Sequence, residues 1–335
     1  MMNIKAFYLA GVLIQRNNKM NDKPSLLVVG SINMDFFIYG VPRIARYGET
    51  LFCDGYASAP GGKGGNQAVA AARMGGDVHM VACVGDDKNG KALLDNLVKF
   101  GVGVQDIAVK PGVQTGFANI LVDGDSGSYT CYAVLGGNGR ITVAQVKQAL
   151  ARRSYKMIMM QLEMPLEVIY GTCELASEMG IPIFLDAGPA IDIDLERLRG
   201  IFIISPNEAE TLAFTGIDPD SEQNLVKAAT ILYEKVNPSY VLLKLGERGA
   251  YLFDGKQAKL MPCFPLSQAI DTTAAGDTFG GAFAVRYCKG DNICDAIRYA
   301  HVAAGICVSK KGAQDSIPSA KEVNEKFMFA DKDKE

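Results

Sequence analysis

The chain has no tryptophan and only two histidines, His79 and His301, in 335 residues. Two imidazoles are too few for a histidine-built metal centre. Its eight cysteines, at positions 53, 83, 131, 173, 263, 288, 294 and 307, form no CxxC pair and no metal-ligand spacing. Several lie in apolar runs, so they read as reduced, mostly buried thiols, and the expected location is cytoplasmic. Excess charge of one sign is missing too. A net charge of −3 provides no footprint for nucleic acid or an anionic membrane, so any phosphate site must be local. The apolar stretch Ala6 to Ile14 is far too short to span a bilayer, and no small-residue cleavage site follows it. Residues 1–24 are therefore expected to be a disordered or loosely docked extension, with Met20 as an alternative start.

A length of 335 residues allows one large core, with or without a small appendage. From Leu26 onward, strand-like runs alternate with helical ones. Leu26–Gly30, Val78–Val84, Met157–Leu162, Pro182–Asp186, Ile201–Ser205 and Tyr240–Leu245 read as strands, most of them continuously apolar, and Gly249–Leu260 reads as a hairpin. Asn66–Met74, Gly90–Phe100, Leu166–Met179, Glu208–Phe214, Glu222–Val236, Asp277–Cys288 and Cys294–Val308 read as helices. This order predicts an α/β fold, a doubly wound, mostly parallel, Rossmann-like sheet covered on both faces. Two strand-like stretches, 36–60 and 112–135, lack a covering helix, and the second turns at Asp123–Gly127. They predict a small antiparallel sheet beside a domain spanning 25–325. Residues 326–335 read as a charged tail. An exposed sheet face is a liability that association with a second copy would cover.

The rest of the chain is organised around DTTAAGDTFGG, Asp271 to Gly281. Small side chains leave the N–H groups of Ala274, Ala275 and Gly276 open at a helix N-terminus, where the macrodipole favours an anion. Asp277 follows in the first turn, and the same dipole is expected to keep it ionised. An anion cradle beside a carboxylate suits phosphoryl transfer to an alcohol. A helix capped after a small-residue turn is the structural alternative.

In a doubly wound sheet, ligands gather outside the carboxyl ends of the strands. Asn33 and Asp35 follow the first strand at i, i+2 spacing, Glu163 ends MIMMQLE, Asn207 follows IFIIS, and Gly246 follows YVLLKL. Asp271 belongs to the same edge. GGKGGNQAVAA, from Gly61, sets bare backbone before a helix, with Lys63 and Asn66 able to donate to a polyhydroxylated ligand. SPNEAE presents Asn207 and Glu210 at capping-box spacing, so a purely structural cap stays open. GDDKNGKA, from Gly85, nearly fits a phosphate loop, but Ala92 replaces the hydroxyl that would hold Mg²⁺ and Asp86 and Asp87 would repel phosphates.

DTTAAGDTF resembles the signature of the ribokinase-like (phosphofructokinase-B type) carbohydrate kinases, and GGKGGN resembles the sugar-binding signature of their ribokinase branch. The likeness covers about Ser25 to Pro318. It implies ATP-dependent phosphorylation of D-ribose at O5. Asp277 would be the catalytic base, and the amides of Ala274, Ala275 and Gly276 the anion hole. Asn33, Asp35, Gly62, Lys63, Asn66 and Glu163 would hold the pentose with Asp277. Asn207 and Glu210 would stand near Mg²⁺ and the nucleotide phosphates, and Gly246 and Gly249 in the nucleotide loop. Lys244 takes a position where the family more often has a hydroxyl, and His301 would lie near the adenine. The resemblance further implies a monovalent cation, usually K⁺, at the Asp271 carboxylate, the carbonyls of Thr273, Cys307, Lys310 and Gly312, and Ser316. It also implies that the small sheet is a lid over the sugar, clasped against its counterpart in a homodimer. A kinase for deoxyribose or another small sugar or nucleoside, and a non-catalytic sugar-binding regulator, are the competing readings.

Overall fold

Leu26, Leu27, Val28 and Val29 are completely buried, because the strand they form lies inside the larger of two sheets, with neighbours on both sides. In the computed structural model, residues 23–124, 129–263 and 269–332 are described. The expectations for residues 1–22, for the hairpin tip at 125–128 and for 333–335 lie outside these.

Along the chain the strands are β1 Ser25–Val29, β2 Asn33–Val41, β3 Gly55–Gly61, β4 Asp77–Gly85, β5 Gly103–Lys110, β6 Phe117–Asp123, β7 Tyr129–Val134, β8 Met157–Met160, β9 Ile183–Asp186, β10 Ile203–Ser205, β11 Tyr240–Lys244, β12 Ala250–Phe253 and β13 Ala258–Met261. The helices are α1 Lys63–Arg73, α2 Lys88–Lys99, α3 Val143–Arg152, α4 Leu166–Met179, α5 Glu208–Thr215, α6 Glu222–Val236, α7 Ala275–Cys288, α8 Ile293–Val308 and α9 Ala320–Lys332.

The large sheet runs β13-β12-β11-β10-β9-β8-β1-β4-β5. It is parallel from β5 to β11, with β12 and β13 antiparallel at one edge. From β1 the chain winds outward through β4 and β5, then returns to β8 and winds the other way. The reversal falls between β1 and β8, and a cleft opens outside the carboxyl ends of strands at such a point. Alternate residues of each strand enter opposite core layers. Leu26 and Val28 pack with α1, α2, α7 and α8, whereas Leu27 and Val29 pack with α3, α4 and α6. Burial on both faces is why these strands read as unbroken apolar runs. No helix among the described residues is long and apolar enough to cross a membrane.

The second sheet runs β3-β2-β6-β7. Its outer pairs are antiparallel, as expected, while β2 and β6 are parallel. The latter two are joined through the main domain and not by a hairpin, and a crossover is what parallel neighbours require. Tyr39, Tyr56, Tyr132 and Val134 leave exposed apolar surface on this sheet. The expected charged tail at 326–335 is helical as far as 332. Ser319 and Glu322 begin that helix, with Glu322 Oε2 accepting from Ser319 N at 2.7 Å and Ser319 Oγ accepting from Glu322 N at 3.3 Å.

Candidate active site

The first turn of α7 sits at the carboxyl edge of the sheet. Its N-cap, Ala274, has φ 61° and ψ 8° and provides no side-chain cap. A left-handed alanine costs about 1–2 kcal/mol. The N–H of Ala275 departs from the expectation: it donates to Thr272 O at 3.2 Å, because the turn closes there. Among the described residues, the N–H groups of Ala274, Gly276 and Asp277 have no acceptor, so the Asp277 amide takes the place foreseen for that of Ala275.

Asp277 is buried, and its carboxylate is held at both oxygens. Asn66 Nδ2 donates to Oδ2 at 2.9 Å and Gln67 Nε2 to Oδ1 at 3.2 Å. Its pKa is not kept low by the helix dipole. Burial pushes it up to about 6, with Asp186 adding to the rise and Lys63, Asn66 and Gln67 opposing it. Desolvation outweighs the dipole because the group is enclosed, and a base poised near neutrality is what proton transfer needs.

Behind Asp277 lies a polar network. Gln67 donates to both Asp277 and Asp186, the latter at 3.0 Å, and its own carbonyl accepts from Gln161 Nε2 at 2.6 Å. Lys244 Nζ donates to Asp186 Oδ1 at 2.8 Å, and Lys63 Nζ stands 3.8 Å from Oδ2. Burial opposes charge on Asp186, yet Lys244 and then Lys63 hold its pKa below the ordinary value. Burial likewise opposes charge on Lys63, but Asp186, Asp277, Glu210 and Glu163 hold its ammonium above the usual range. Asp186, Gln67, Ser31 and Asn138 were not foreseen from sequence. Asp186 carried a readable signal, an acid ending an apolar strand at the same edge as Glu163.

Asn33 and Asp35 both belong to β2, so their i, i+2 spacing puts them on one face. Asn33 Oδ1 accepts from Asn138 Nδ2 at 2.7 Å, and Asn138 Oδ1 accepts from Ile32 N at 2.9 Å. Asp35 is buried against the Gly61–Gly62 backbone, with Oδ1 lacking a partner among the described residues. Burial, then Glu163, raises its pKa to about 7, and Asp277 adds to this. Gly62 has φ 79°, and a Cβ there would lie 2.7 Å from Asn33 N, so only glycine fits. Glu163 Oε2 accepts from Ser31 Oγ at 2.5 Å and Lys63 N at 3.2 Å. Asn66 Oδ1 is buried and unpartnered among the described residues. The residues expected at the sugar thus lie against one another around Gly62 and Lys63, with Asn66 directed at Asp277 as well.

Asn207 and Glu210 do form a capping box: Glu210 N donates to Asn207 Oδ1 and Asn207 N to Glu210 Oε2, each at 2.8 Å. The cap leaves Glu210 Oε1, which lies over Gly188 beside Lys63, 2.1 Å from where a Cβ would stand. On the other side of α7, a largely apolar cavity of about 270 Å³ is lined by Lys244, Gly246, Gly249, Gly276, Phe279 and His301, among others. Gly249 has φ 95°, and a Cβ there would strike Met261 O at 2.1 Å. His301 packs on Phe279 at 5.3 Å between ring centroids, and burial lowers its pKa to about 4, so it is neutral.

Asp271 accepts from Thr273 N and Gly312 N, both at 2.9 Å. Cys307 Sγ lies 3.7 Å from Thr273 O and 3.1 Å from Ser316 Oγ. Asp271, Thr273, Cys307, Gly312 and Ser316 are therefore gathered beside the start of α7. The Lys310 side chain donates to Glu322 at 2.6 Å, which leaves its carbonyl, the atom expected at the cation, untouched. Its N–H donates to Cys307 O at 3.1 Å. The rejected phosphate loop is filled by its own acid: Asp87 accepts from Gly90 N at 2.7 Å and from Thr115 N at 2.8 Å.

The chain belongs to the pfkB family of carbohydrate kinases, whose pattern matches residues 23–320. Within it, the chain is similar to the ribokinase of Haemophilus influenzae, 37% identical over 304 residues, 90% of this chain and 98% of that one. A Salmonella typhi deoxyribokinase is 31% identical over 302 residues, 90% of this chain and 97% of that one. The structure of the Arabidopsis thaliana ribokinase complexed with ribose and ATP superimposes with a TM-score of 0.82 at 30% identity, covering 91% of this chain and 99% of that one.

Proposed function

We propose that this chain transfers the γ-phosphoryl group of ATP to O5 of D-ribose, giving ribose 5-phosphate and ADP. The observation that carries the reading is Asp277. Its carboxylate is fixed by two side-chain amides, with N–H groups of its own turn that lack an acceptor among the described residues beside it and a largely apolar cavity of about 270 Å³ on the other side of the helix. Asp277 accepts the proton of the 5-hydroxyl as that oxygen bonds to the γ-phosphorus and the bond to the ADP oxygen breaks. The amides of Ala274, Gly276 and Asp277 offset charge on the transferring group. Asn33, Asp35, Gly62, Lys63, Asn66 and Glu163 hold the pentose, and Gly246, Gly249, Lys244 and His301 the nucleotide.

Among the described residues, no three His, Cys, Asp or Glu side chains are grouped to hold a metal. Mg²⁺ in such a site is carried by one or two protein oxygens and the phosphates. Glu210 Oε1, left over by the cap, and Asn207 fit that demand, and the ion supplies charge neutralisation at the phosphates. The Asp271 carboxylate, the carbonyls of Thr273, Cys307, Lys310 and Gly312, and Ser316 Oγ fit a hard monovalent cation such as K⁺. The exposed apolar face of the small sheet fits a second copy in a homodimer, which light scattering tests: a monomer at all concentrations removes it. Fewer thiols are buried than expected: Cys83, Cys173 and Cys307 are buried, Cys263, Cys288 and Cys294 half-buried, and Cys53 and Cys131 exposed; exposed thiols outside any disulfide fit a reducing, cytoplasmic setting.

The test is ADP release across a sugar panel. Ribose is expected to give the highest kcat/KM, and Asp277→Asn to cut kcat by about 100-fold or more while ribose still binds. A variant keeping about a tenth of wild-type kcat would remove Asp277 from this role. Deoxyribose is the second reading, favoured by the Salmonella relative. Asn33 and Asp35, side by side, suit vicinal hydroxyls and favour ribose.

A further inference from the structure

Lys244 ends β11 with its side chain 15% exposed. Its ammonium is bonded to the buried Asp186 carboxylate at 2.8 Å. The same nitrogen lies 3.5 Å from the point that a Cβ on Gly276 would occupy, and Lys244 lines the cavity behind α7. One cation therefore faces both a carboxylate and the amides where a phosphate would settle. Asp186 does not depend on it alone, since Gln67 donates to its other oxygen and Lys63 stands beside that oxygen. An anion arriving at Gly276 meets an ammonium already in place, whose present partner retains other support.

We propose that Lys244 is a phosphate-binding cation of the nucleotide site, shared between the nucleotide's phosphates and Asp186, with Asp186 acting as the competitor that limits nucleotide affinity. This rests on the kinase reading, which already places Lys244 with the nucleotide, and adds to it a phosphate contact and a competition with Asp186 that set how tightly ATP and ADP are held. A lysine that only neutralises Asp186 behaves differently. Breaking that pair from either side would then loosen the same site in the same direction. A shared lysine gives opposite signs, because removing the competitor leaves the whole cation to the phosphates.

The experiment is calorimetric titration of the full chain with Mg²⁺·ADP, without sugar, alongside adenosine as a ligand lacking phosphates. Lys244→Met is expected to weaken ADP binding about tenfold or more, with adenosine unaffected. Lys244→Arg should stay within about threefold of wild type, and Asp186→Asn should tighten ADP about threefold or more. Should Lys244→Met not fold, the double variant Asp186→Asn/Lys244→Met removes both charges together and is expected to bind ADP as weakly. ADP affinity unchanged by loss of the lysine, an equal loss for adenosine, or weaker binding in Asp186→Asn each overturns the assignment. Failure of the wild-type chain to turn over any sugar overturns the kinase reading instead. Normal turnover with ADP binding indifferent to Lys244 overturns only this inference.

Discussion

Replacing Gln67 by methionine removes the amide that bridges Asp277 and Asp186 while keeping side-chain length. Asp277 then retains only the Asn66 donor, at 2.9 Å. A hydrogen bond to a charged group contributes about 1.5 kcal/mol or more, and that energy corresponds to about one pKa unit. The bond favours the ionised carboxylate, so its loss moves the Asp277 pKa from about 6 to about 7. The acid limb of kcat/KM, which reports the free enzyme, should move with it. At pH 6 the ionised fraction falls from about a half to about a tenth, so the variant should be about fivefold slower there. Above about pH 8.5 the difference should nearly vanish, because both forms are ionised. Coupled ADP-release assays from pH 5 to 9 measure this directly. A variant whose acid limb stays in place, or whose loss is the same at every pH, would refute the bridge as a control on the base. Thermal melts at each pH exclude unfolding, since Gln161 Nε2 also loses its partner.

Other expectations follow from the same geometry. A carboxyl whose folded pKa is raised from 3.8 to about 6 costs no stability below about pH 4 and costs up to about 3 kcal/mol once pH has risen through 6. Asp277→Asn should therefore melt higher than wild type at pH 8, with the gap closing as pH falls towards 4; a gap independent of pH contradicts the raised pKa. Gly62→Ala, forced to φ 79° with a Cβ 2.7 Å from Asn33 N, should lose about 2 kcal/mol or more of stability and raise KM for the sugar; denaturant melts and initial rates check both. Asp271→Ala removes the acceptor of the Thr273 and Gly312 amides and should cut K⁺-stimulated turnover about tenfold or more, whereas turnover stimulated as in wild type would dismiss the cation site.

Elements whose evidence is local were legible in the chain. Helices α4 and α6 begin and end at the residues their patterns indicate, and β1 announces its burial by the unbroken apolar run from Leu26 to Val29. Helices α3 and α9 lie outside the expected elements, although each opens with a capping box, Thr142 with Gln145 and Ser319 with Glu322. That signal is as local as the one read at Asn207. Strand β5 lies outside the expected elements for another reason: it is an edge strand with mixed exposure and has no long apolar run to reveal it.

Motif and spacing alone determined that a doubly wound sheet would carry its polar residues at one edge, with Asp277 in the first turn of a helix. Periodicity and backbone chemistry act over a few residues, so they leave their mark in the string itself. Only the tertiary structure decided the state of that acid. Asn66, Gln67, Lys63 and Asp186 come from α1 and β9, far away along the chain, and enclosure among them outweighs the helix dipole and lifts the Asp277 pKa to about 6. The dual position of Lys244, between Asp186 and Gly276, likewise exists only once three distant segments are packed together. Charge and solvation depend on distance in space, which the order of residues does not contain.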